Sequence, residues 1–130
     1  MTFTPAEIDY LEGQTLGRLC TLGPGGEPQA RPVGVHLGPD GTIDVLGYRN
    51  AESQKWRNVL RDPRVTFVVD DIASQTPWRV RGIEIRGEAD ALLGVGSTED
   101  GMSGDVIRIR PKRILSWGIE TERAQARDVG

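Results

Sequence analysis

The stretch best suited to chemistry covers residues 47–60, with the sequence GYRNAESQKWRNVL. Within it, Trp56, Val59 and Leu60 recur at helical spacing and predict one apolar stripe. Ser53 stands where a helix N-cap is expected. A helix N-terminus carries unpaired N–H groups and a partial positive charge, which suits a phosphate group. The spacing therefore predicts a short helix whose first turn could hold an anion.

Three cations accompany this predicted helix start, namely Arg49, Lys55 and Arg57. The hydroxyl of Ser53 would add a polar group beside them. A solvated helix with ordinary surface charges explains the same residues equally well, because short polar motifs have many false positives. The stretch alone leaves both interpretations open.

A second candidate is the predicted strand Gln29–Leu37, which carries Pro32 and Gly34 on one face. Pro and Gly inside a strand mark an edge, a bulge or the close approach of something to the backbone. A planar ligand lying beside Pro32-Val33-Gly34 would be one such case. Arg31 points to the other face of this strand, where a carboxylate of a neighbouring strand could pair with it.

Other chemistry is scarce. The chain has a single histidine, His36, and a single cysteine, Cys20, so we predict no metal site and no catalytic triad. A lone histidine on a strand is more often structural. The Asp70-Asp71 pair precedes a turn, where solvated aspartates are common. If the chain is an enzyme, we predict no catalytic side chain, and a cofactor must supply the chemistry.

The elements that would position these residues are mostly short strands. Thr4-Pro5-Ala6-Glu7 predicts a capped first helix that Gly13 ends, and the second helix ends near Arg61. Strands are predicted at Leu16–Leu22, Gln29–Leu37, Thr42–Tyr48, Arg64–Asp70, Trp78–Leu92 and Asp105–Ile119. Residues 72–77 and 94–104 are expected to be loops, and the tail from Glu120 is expected to fray. Six strands and two helices favour a mainly β fold, a barrel with helical additions.

Length and composition restrict the function. One hundred and thirty residues make one domain, residues 1–130, and the net charge of -3 disfavours nucleic-acid binding. No apolar run is long enough to span a bilayer. No secretory signal is visible, so we expect a cytoplasmic protein with no membrane role.

These residues, in this order, resemble the pyridoxamine 5′-phosphate oxidase-like split β-barrel superfamily, and most closely its actinobacterial branch that uses the deazaflavin coenzyme F420. The similarity covers Leu16 to Ile119 and depends on a strand arginine, a tyrosine, a polar triplet at a helix start and a C-terminal Pro-x-Arg followed by a tryptophan. In this sequence they are Arg31, Tyr48, Ser53-Gln54-Lys55, Pro111, Arg113 and Trp117.

The resemblance implies a six-stranded split barrel in which Arg31, Ser53 and Lys55 bind a cofactor phosphate. It implies a homodimer with cofactor sites at the interface, where Trp117 reaches the partner subunit's cofactor. Aromatic packing in the core or at an interface is the alternative explanation of Tyr48 and Trp117. The same packing is the expected role of Trp56 and Trp78. Together with the residue patterns, the resemblance predicts one cofactor-binding set: Arg31, Pro32, Val33, Gly34, Tyr48, Arg49, Ser53, Gln54, Lys55 and Trp117.

Gln54 departs from the middle arginine of the triplet in flavin-binding members, which weakens the case for FMN. The oxidase's C-terminal Arg/His substrate motif is missing after Trp117, so pyridoxamine phosphate oxidase activity is not expected. The resemblance implies an F420-dependent reductase that transfers a hydride to an activated C=C bond of a small organic substrate. The alternatives are an FMN-dependent oxidoreductase, a flavin-, deazaflavin- or haem-binding protein without turnover, and an inactive dimeric scaffold.

Overall fold

The computed structural model describes residues 2–130, which form seven strands and two α-helices. In chain order, the elements are α1 (Pro5–Glu12), β1 (Leu16–Leu22), β2 (Pro28–Gly34), β3 (Ile43–Val45), α2 (Gln54–Arg61), β4 (Arg64–Gln75), β5 (Trp78–Leu92), β6 (Val106–Trp117) and β7 (Gln125–Asp128). Single turns of 3₁₀ helix lie at Pro39–Gly41, Asn50–Glu52 and Glu99–Gly101. The mainly β class is confirmed.

Both predicted helices are present with their predicted caps. At α1 the Thr4 hydroxyl accepts a bond from the backbone N–H of Glu7 at 3.1 Å, and the Glu7 carboxylate accepts one from the Thr4 N–H at 3.0 Å. At α2 the hydroxyl of Ser53 accepts from the N–H of Trp56 at 3.3 Å. These bonds satisfy donors that a helix start otherwise leaves unpaired.

The predicted apolar stripe of α2 is only partly right. Trp56 and Val59 are buried, but Leu60 is 67% exposed. Asn58 is fully buried instead, so the inward face of the helix contains a polar residue between apolar ones. Periodicity alone did not indicate this, because hydrophobic spacing does not identify a buried amide.

The strands pair antiparallel in the order β2-β1-β4-β5-β6-β3, and β7 adds to β6. The predicted six-stranded split barrel is confirmed only as a mainly β fold: there are seven strands, and within residues 2–130 no ladder joins the end strands β2 and β3 to close the sheet. A single bridge between Leu37 and Ile43 links the chain after β2 to β3. Inward side chains of alternating residues, such as Phe67, Ile85 and Ile109, fill the core.

Several boundaries differ from the sequence expectation. Pairing in β2 ends at Gly34 and β3 covers only Ile43–Val45, so both strands are shorter than predicted. Residues 72–75, expected in a loop, continue β4, because Ile72 pairs with Val80 and, after a β-bulge, Ser74 pairs with Arg79. Trp78, beside the following turn, is 65% exposed and is not a core residue, whereas Trp56 is buried.

The C-terminal tail, expected to fray, instead forms β7 along residues 113–116 of β6. Arg127 in this strand donates to the buried carboxylate of Glu7 at 2.9 Å and to the carbonyl of Thr2 at 2.8 Å. Burial raises the pKa of Glu7, but the bonds from Arg127 and from the Thr4 N–H outweigh it and leave that pKa below its usual value. A long-range ion pair therefore anchors the tail to α1.

Candidate phosphate site

A cavity of about 230 Å³ lies between the start of α2 and strands β1 and β2. Its lining residues come from these three elements: Leu19, Thr21, Gln29, Arg31, Pro32, Ser53, Gln54 and Lys55. Five of them belong to the predicted cofactor-binding set. A larger cavity of about 640 Å³ lies between the two chain ends and residues 40–41, away from these cations.

Strand register explains how β2 contributes to this cavity. Arg31 pairs with Leu19, and Gln29 pairs with Thr21, in the antiparallel β1–β2 ladder. Residues directly opposite each other in a ladder share one face of the sheet. Leu19 and Thr21 are inward residues of β1, so Arg31 and Gln29 face the same way, towards α2.

Two cations meet at the cavity without an acidic partner. Neither Arg31 nor Lys55 forms an ion pair with any carboxylate of residues 2–130. Burial lowers the pKa of Lys55, and the nearby charge of Arg31 lowers it further. The alternative pairing of Arg31 with a carboxylate of a neighbouring strand does not occur. The site therefore has positive charge that an anion would neutralise.

The hydroxyl of Ser53 is already engaged within the helix cap. It donates to the carbonyl of Asn50 at 2.6 Å while accepting from the N–H of Trp56. In this arrangement its proton does not point to a ligand, although its side chain lines the cavity. Ser53 therefore shapes the helix start that presents Lys55.

The other two predicted cations are partnered. Arg49 makes two bonds to the carboxylate of Glu52, at 2.7 and 3.0 Å. Arg57 donates to the carbonyl of Glu52 at 3.0 Å and to the side-chain oxygen of Gln54 at 2.9 Å. Arg49 is outside the cavity lining, and its exposed pair with Glu52 is of the weak kind.

The remaining predicted residues lie apart from this cavity. Tyr48 is 67% exposed, and its ring lies near Gly101 in the β5–β6 loop. The side chain of Val33 is buried in the core, whereas Pro32 lines the cavity. Trp117 pairs with Gly82 across the β5–β6 ladder, and its indole covers this glycine so closely that a side chain there would collide with it.

Two further clusters lie elsewhere. A cavity of about 490 Å³ at the β4–β5 turn is lined by Trp78, Arg81 and Gly118, among others. Arg81 makes two bonds to Asp71, at 3.1 and 2.6 Å, so Asp71 is not the solvated aspartate that the sequence suggested. The Tyr10 hydroxyl donates to the same carboxylate at 2.8 Å, and burial followed by this bond raises the pKa of Tyr10.

Sequence reasoning missed the polar wall of the candidate phosphate site, formed by Thr21 and Gln29. The buried amide of Asn58 donates to the Thr21 hydroxyl at 2.9 Å and to the Gln29 side-chain oxygen at 2.8 Å. A polar residue on the inward face of a predicted helix is a signal that could have found Asn58, but its partners are far away in sequence.

Among residues 2–130, no helix is long and apolar enough to cross a membrane. The sequence profile of the pyridoxamine 5′-phosphate oxidase family matches residues 3–118. A 5a,11a-dehydrotetracycline/5a,11a-dehydrooxytetracycline reductase of Streptomyces rimosus is 42% identical over 134 aligned positions, which cover 99% of this chain and 94% of that protein. This match bears out the prediction of an oxidoreductase.

Solved structures agree on the fold. A conserved protein of Mycobacterium tuberculosis superimposes with a TM-score of 0.72 at 27% identity, covering 98% of this chain and 92% of that one. A structure named F420 reductase superimposes with a TM-score of 0.64 at 22% identity, covering 82% and 93%. With the profile match over most of the chain, the comparisons show that this protein belongs to the pyridoxamine 5′-phosphate oxidase-like family.

Proposed function

We propose that this protein is an F420-dependent reductase of an activated C=C bond in a small organic substrate. The observation that carries the proposal is the pair Arg31 and Lys55, two cations without acidic partners that line one cavity at the start of a helix. An anionic cofactor group would relieve their mutual repulsion and form charge-assisted hydrogen bonds. The whole-chain similarity to a dehydrotetracycline reductase supports the reductase class and a polycyclic, unsaturated substrate.

The side chains fit a phosphate in the following roles. Lys55 and Arg31 would bind the anionic oxygens from the helix and from β2 respectively. Ser53 caps α2 and so fixes where Lys55 stands. When bound, a reduced deazaflavin supplies a hydride, and the substrate's C=C bond gains that hydride and a proton from solvent. We assign no side chain to the proton transfer.

The second half of the proposal is a homodimer. A second chain would be needed for Trp117 to contact a cofactor held by Arg31 and Lys55, because within one chain Trp117 does not line their cavity. Ile72, Trp78 and Val80 form an exposed apolar group at the end of the β4–β5 hairpin, which is unusual for a monomer's surface. These features support an interface, with Trp117 as the residue that crosses it.

The test combines binding with turnover. Purified protein is titrated with oxidised F420 and, separately, with FMN and haem, following cofactor fluorescence or the visible spectrum. Reduced F420 is then mixed with 5a,11a-dehydrotetracycline, and its reoxidation is followed with and without protein. Tight F420 binding with catalysed reoxidation supports the proposal. FMN binding as tight or tighter would favour the flavin alternative, and binding of haem alone would favour a carrier protein.

A further inference from the structure

The cavity of about 490 Å³ at the β4–β5 turn, here the hairpin cavity, has the composition of a small-molecule site. Its lining combines apolar residues with three charged ones: Ala73, Pro77, Trp78, Val80 and Gly118, then Arg79, Arg81 and Glu122. Sites for small organic ligands have volumes of roughly 300–1,000 Å³, mostly apolar walls and a few fixed polar groups. The hairpin cavity therefore has the size and the lining for an organic molecule of several rings.

The charges around the hairpin cavity are balanced, unlike those of the candidate phosphate site. Arg79 pairs with Glu122 at 2.6 Å, and both side chains are exposed. The two bonds from Arg81 hold the pKa of Asp71 below its usual value, so this pair also stays ionised at neutral pH. The candidate phosphate site instead has two cations without an acidic partner among residues 2–130. The two cavities therefore suit different molecules, an anionic one at the phosphate site and one without net charge at the hairpin.

Arg81 is held in one orientation by its neighbours. Its Nε and Nη2 atoms bond to the carboxylate of Asp71, which also accepts a bond from the Tyr10 hydroxyl at 2.8 Å. The guanidinium lies 5.1 Å from the centre of the Tyr10 ring, within the range of a cation–π contact. Its third nitrogen, Nη1, donates to no acceptor among residues 2–130. An oriented guanidinium with unused N–H groups can donate to a carbonyl oxygen of a ligand.

The hairpin cavity lies next to Trp117, the residue proposed to cross the subunit interface. Gly118, which lines the cavity, directly follows Trp117 and packs so closely against the backbone of Val80 that a side chain there would collide with it. Trp78 and Val80 also line the cavity, and both belong to the exposed apolar group that supports an interface. In the proposed dimer, the cavity therefore adjoins the cofactor held by the partner subunit.

We propose that the hairpin cavity is the substrate site and takes a polycyclic enone without net charge, stacked on Trp78 with its carbonyl oxygen bonded to Arg81. This inference rests on the proposed function, because Trp117 brings the cavity to the cofactor. The C=C bond conjugated to that carbonyl gains a hydride from the reduced cofactor at its far carbon. The π electrons move onto the carbonyl oxygen, and solvent then supplies a proton. Arg81 stabilises the negative charge that develops on this oxygen, as a preorganised donor does.

The test follows binding without turnover, using the full-length protein with no cofactor added. The probe is 5a,11a-dehydrotetracycline, and NMR follows the indole N–H signals of the three tryptophans. Binding should shift the signal of Trp78 and leave that of Trp56 in place, because Trp56 is buried on α2, away from the hairpin cavity. A Trp78 signal that does not move at millimolar probe would overturn the inference.

Two variants test the two contacts. Trp78→Ala removes the stacking surface at an exposed position, and Arg81→Lys keeps a cation beside Asp71 but removes the Nη1 donor. Each should weaken probe binding by about tenfold, the effect of one lost aromatic contact or one lost hydrogen bond to a charged group. Arg110→Lys is the matched control, because Arg110 makes the same two-bond pair, with Asp90, outside the cavity. It should bind the probe as the parent does.

A purely structural role of Arg81 would give a different pattern. Arg81→Lys would then weaken the probe and F420 by the same factor and lower the melting temperature, and that result would overturn the inference. Light scattering shows whether Trp78→Ala keeps the parent's mass. If it does not, Arg81→Lys decides the test, because Arg81 lies outside the exposed apolar group.

Failure of the two proposals can be separated. A parent protein whose Trp78 signal responds to the probe but that does not bind F420 contradicts the proposed function and, with it, the role of the cavity as a substrate site. A parent that binds F420 and catalyses its reoxidation, while Trp78→Ala and Arg81→Lys bind the probe like the parent, retains the proposed function. Only the assignment of the hairpin cavity is then wrong.

Discussion

Replacing Lys55 with alanine tests the cation on which the proposed site depends most. The side chain is partly buried beside Arg31 and has no ion-pair partner among residues 2–130, so an anion would be its main interaction. A hydrogen bond to a charged group contributes about 1.5–3 kcal/mol. We therefore expect Lys55→Ala to weaken F420 binding by roughly ten- to a hundredfold, since about 1.4 kcal/mol corresponds to tenfold.

The same residue predicts a pH dependence of binding. The pKa of Lys55 is lowered in the ligand-free protein by burial and by Arg31, so it loses its proton at a lower pH than a free lysine. A bound anion favours the charged form, which means that binding takes up a proton once the pH exceeds this lowered pKa. Affinity should therefore fall as the pH rises through it. Lys55→Arg should remove this alkaline fall, because arginine stays charged.

Fluorescence titration of F420 between neutral and alkaline pH measures both effects. Lys112→Ala serves as the matched control, because it removes an exposed lysine that pairs with Glu88 outside the cavity. It should bind F420 as the parent does. If Lys55→Ala also binds like the parent, the phosphate site lies elsewhere, and residues 47–60 are only a helix with a charged face.

Three further outcomes are expected. Gln54→Arg should bring FMN affinity closer to F420 affinity by about tenfold, the effect of one new charge-assisted contact. An unchanged ratio of FMN affinity to F420 affinity in parallel fluorescence titrations would show that the missing cation at position 54 does not set the cofactor preference. Light scattering at micromolar concentration should give twice the chain mass of 14.2 kDa, whereas a monomer would refute the proposed cross-subunit role of Trp117. Arg127→Met should lower the melting temperature clearly, because it leaves the Glu7 carboxylate buried and unpaired; such losses reach roughly 3–5 kcal/mol for fully buried pairs, and less here since the Arg127 side chain is 34% exposed. Arg113→Met, which removes an exposed pair with Asp128, is the control and should melt nearly as the parent does.

Local signals predicted the helix starts. Thr4 and Ser53 cap the two helices because a cap depends on residues three or fewer positions apart. Strands β1 and β5 were predicted with their observed bounds, since alternation in Leu16–Leu22 and Trp78–Leu92 is also a local property. The convergence of Arg31 with Lys55 was suggested only by family resemblance, because the strand register that creates it joins distant residues.

Contacts between distant segments explain what sequence reasoning did not find. Strand β7 is held in place by the ion pair between Arg127 and Glu7, which lie at opposite ends of the sequence. The tail's charged composition had instead suggested fraying. Arg49 and Arg57 looked like free cations, but each has a nearby partner that spacing alone does not assign. The burial of the Asn58 amide depends on its bonds to Thr21 on β1 and Gln29 on β2, which are distant in sequence.

The electrostatics of Lys55 also predict what the Lys55→Ala variant does to the ligand-free fold. Burial and Arg31 lower its pKa, so between that value and the ordinary one the unfolded chain binds more protons, and stability rises with pH through this window. Below this window Lys55 is charged in the folded protein as well, and its burial and its repulsion from Arg31 then oppose folding in full. Lys55→Ala should therefore leave the ligand-free melting temperature unchanged or raised. Because a ligand stabilises the state it binds, F420 should raise the parent's melting temperature more than the variant's. A variant that melts well below the parent without ligand would show that Lys55 supports the fold rather than a bound anion.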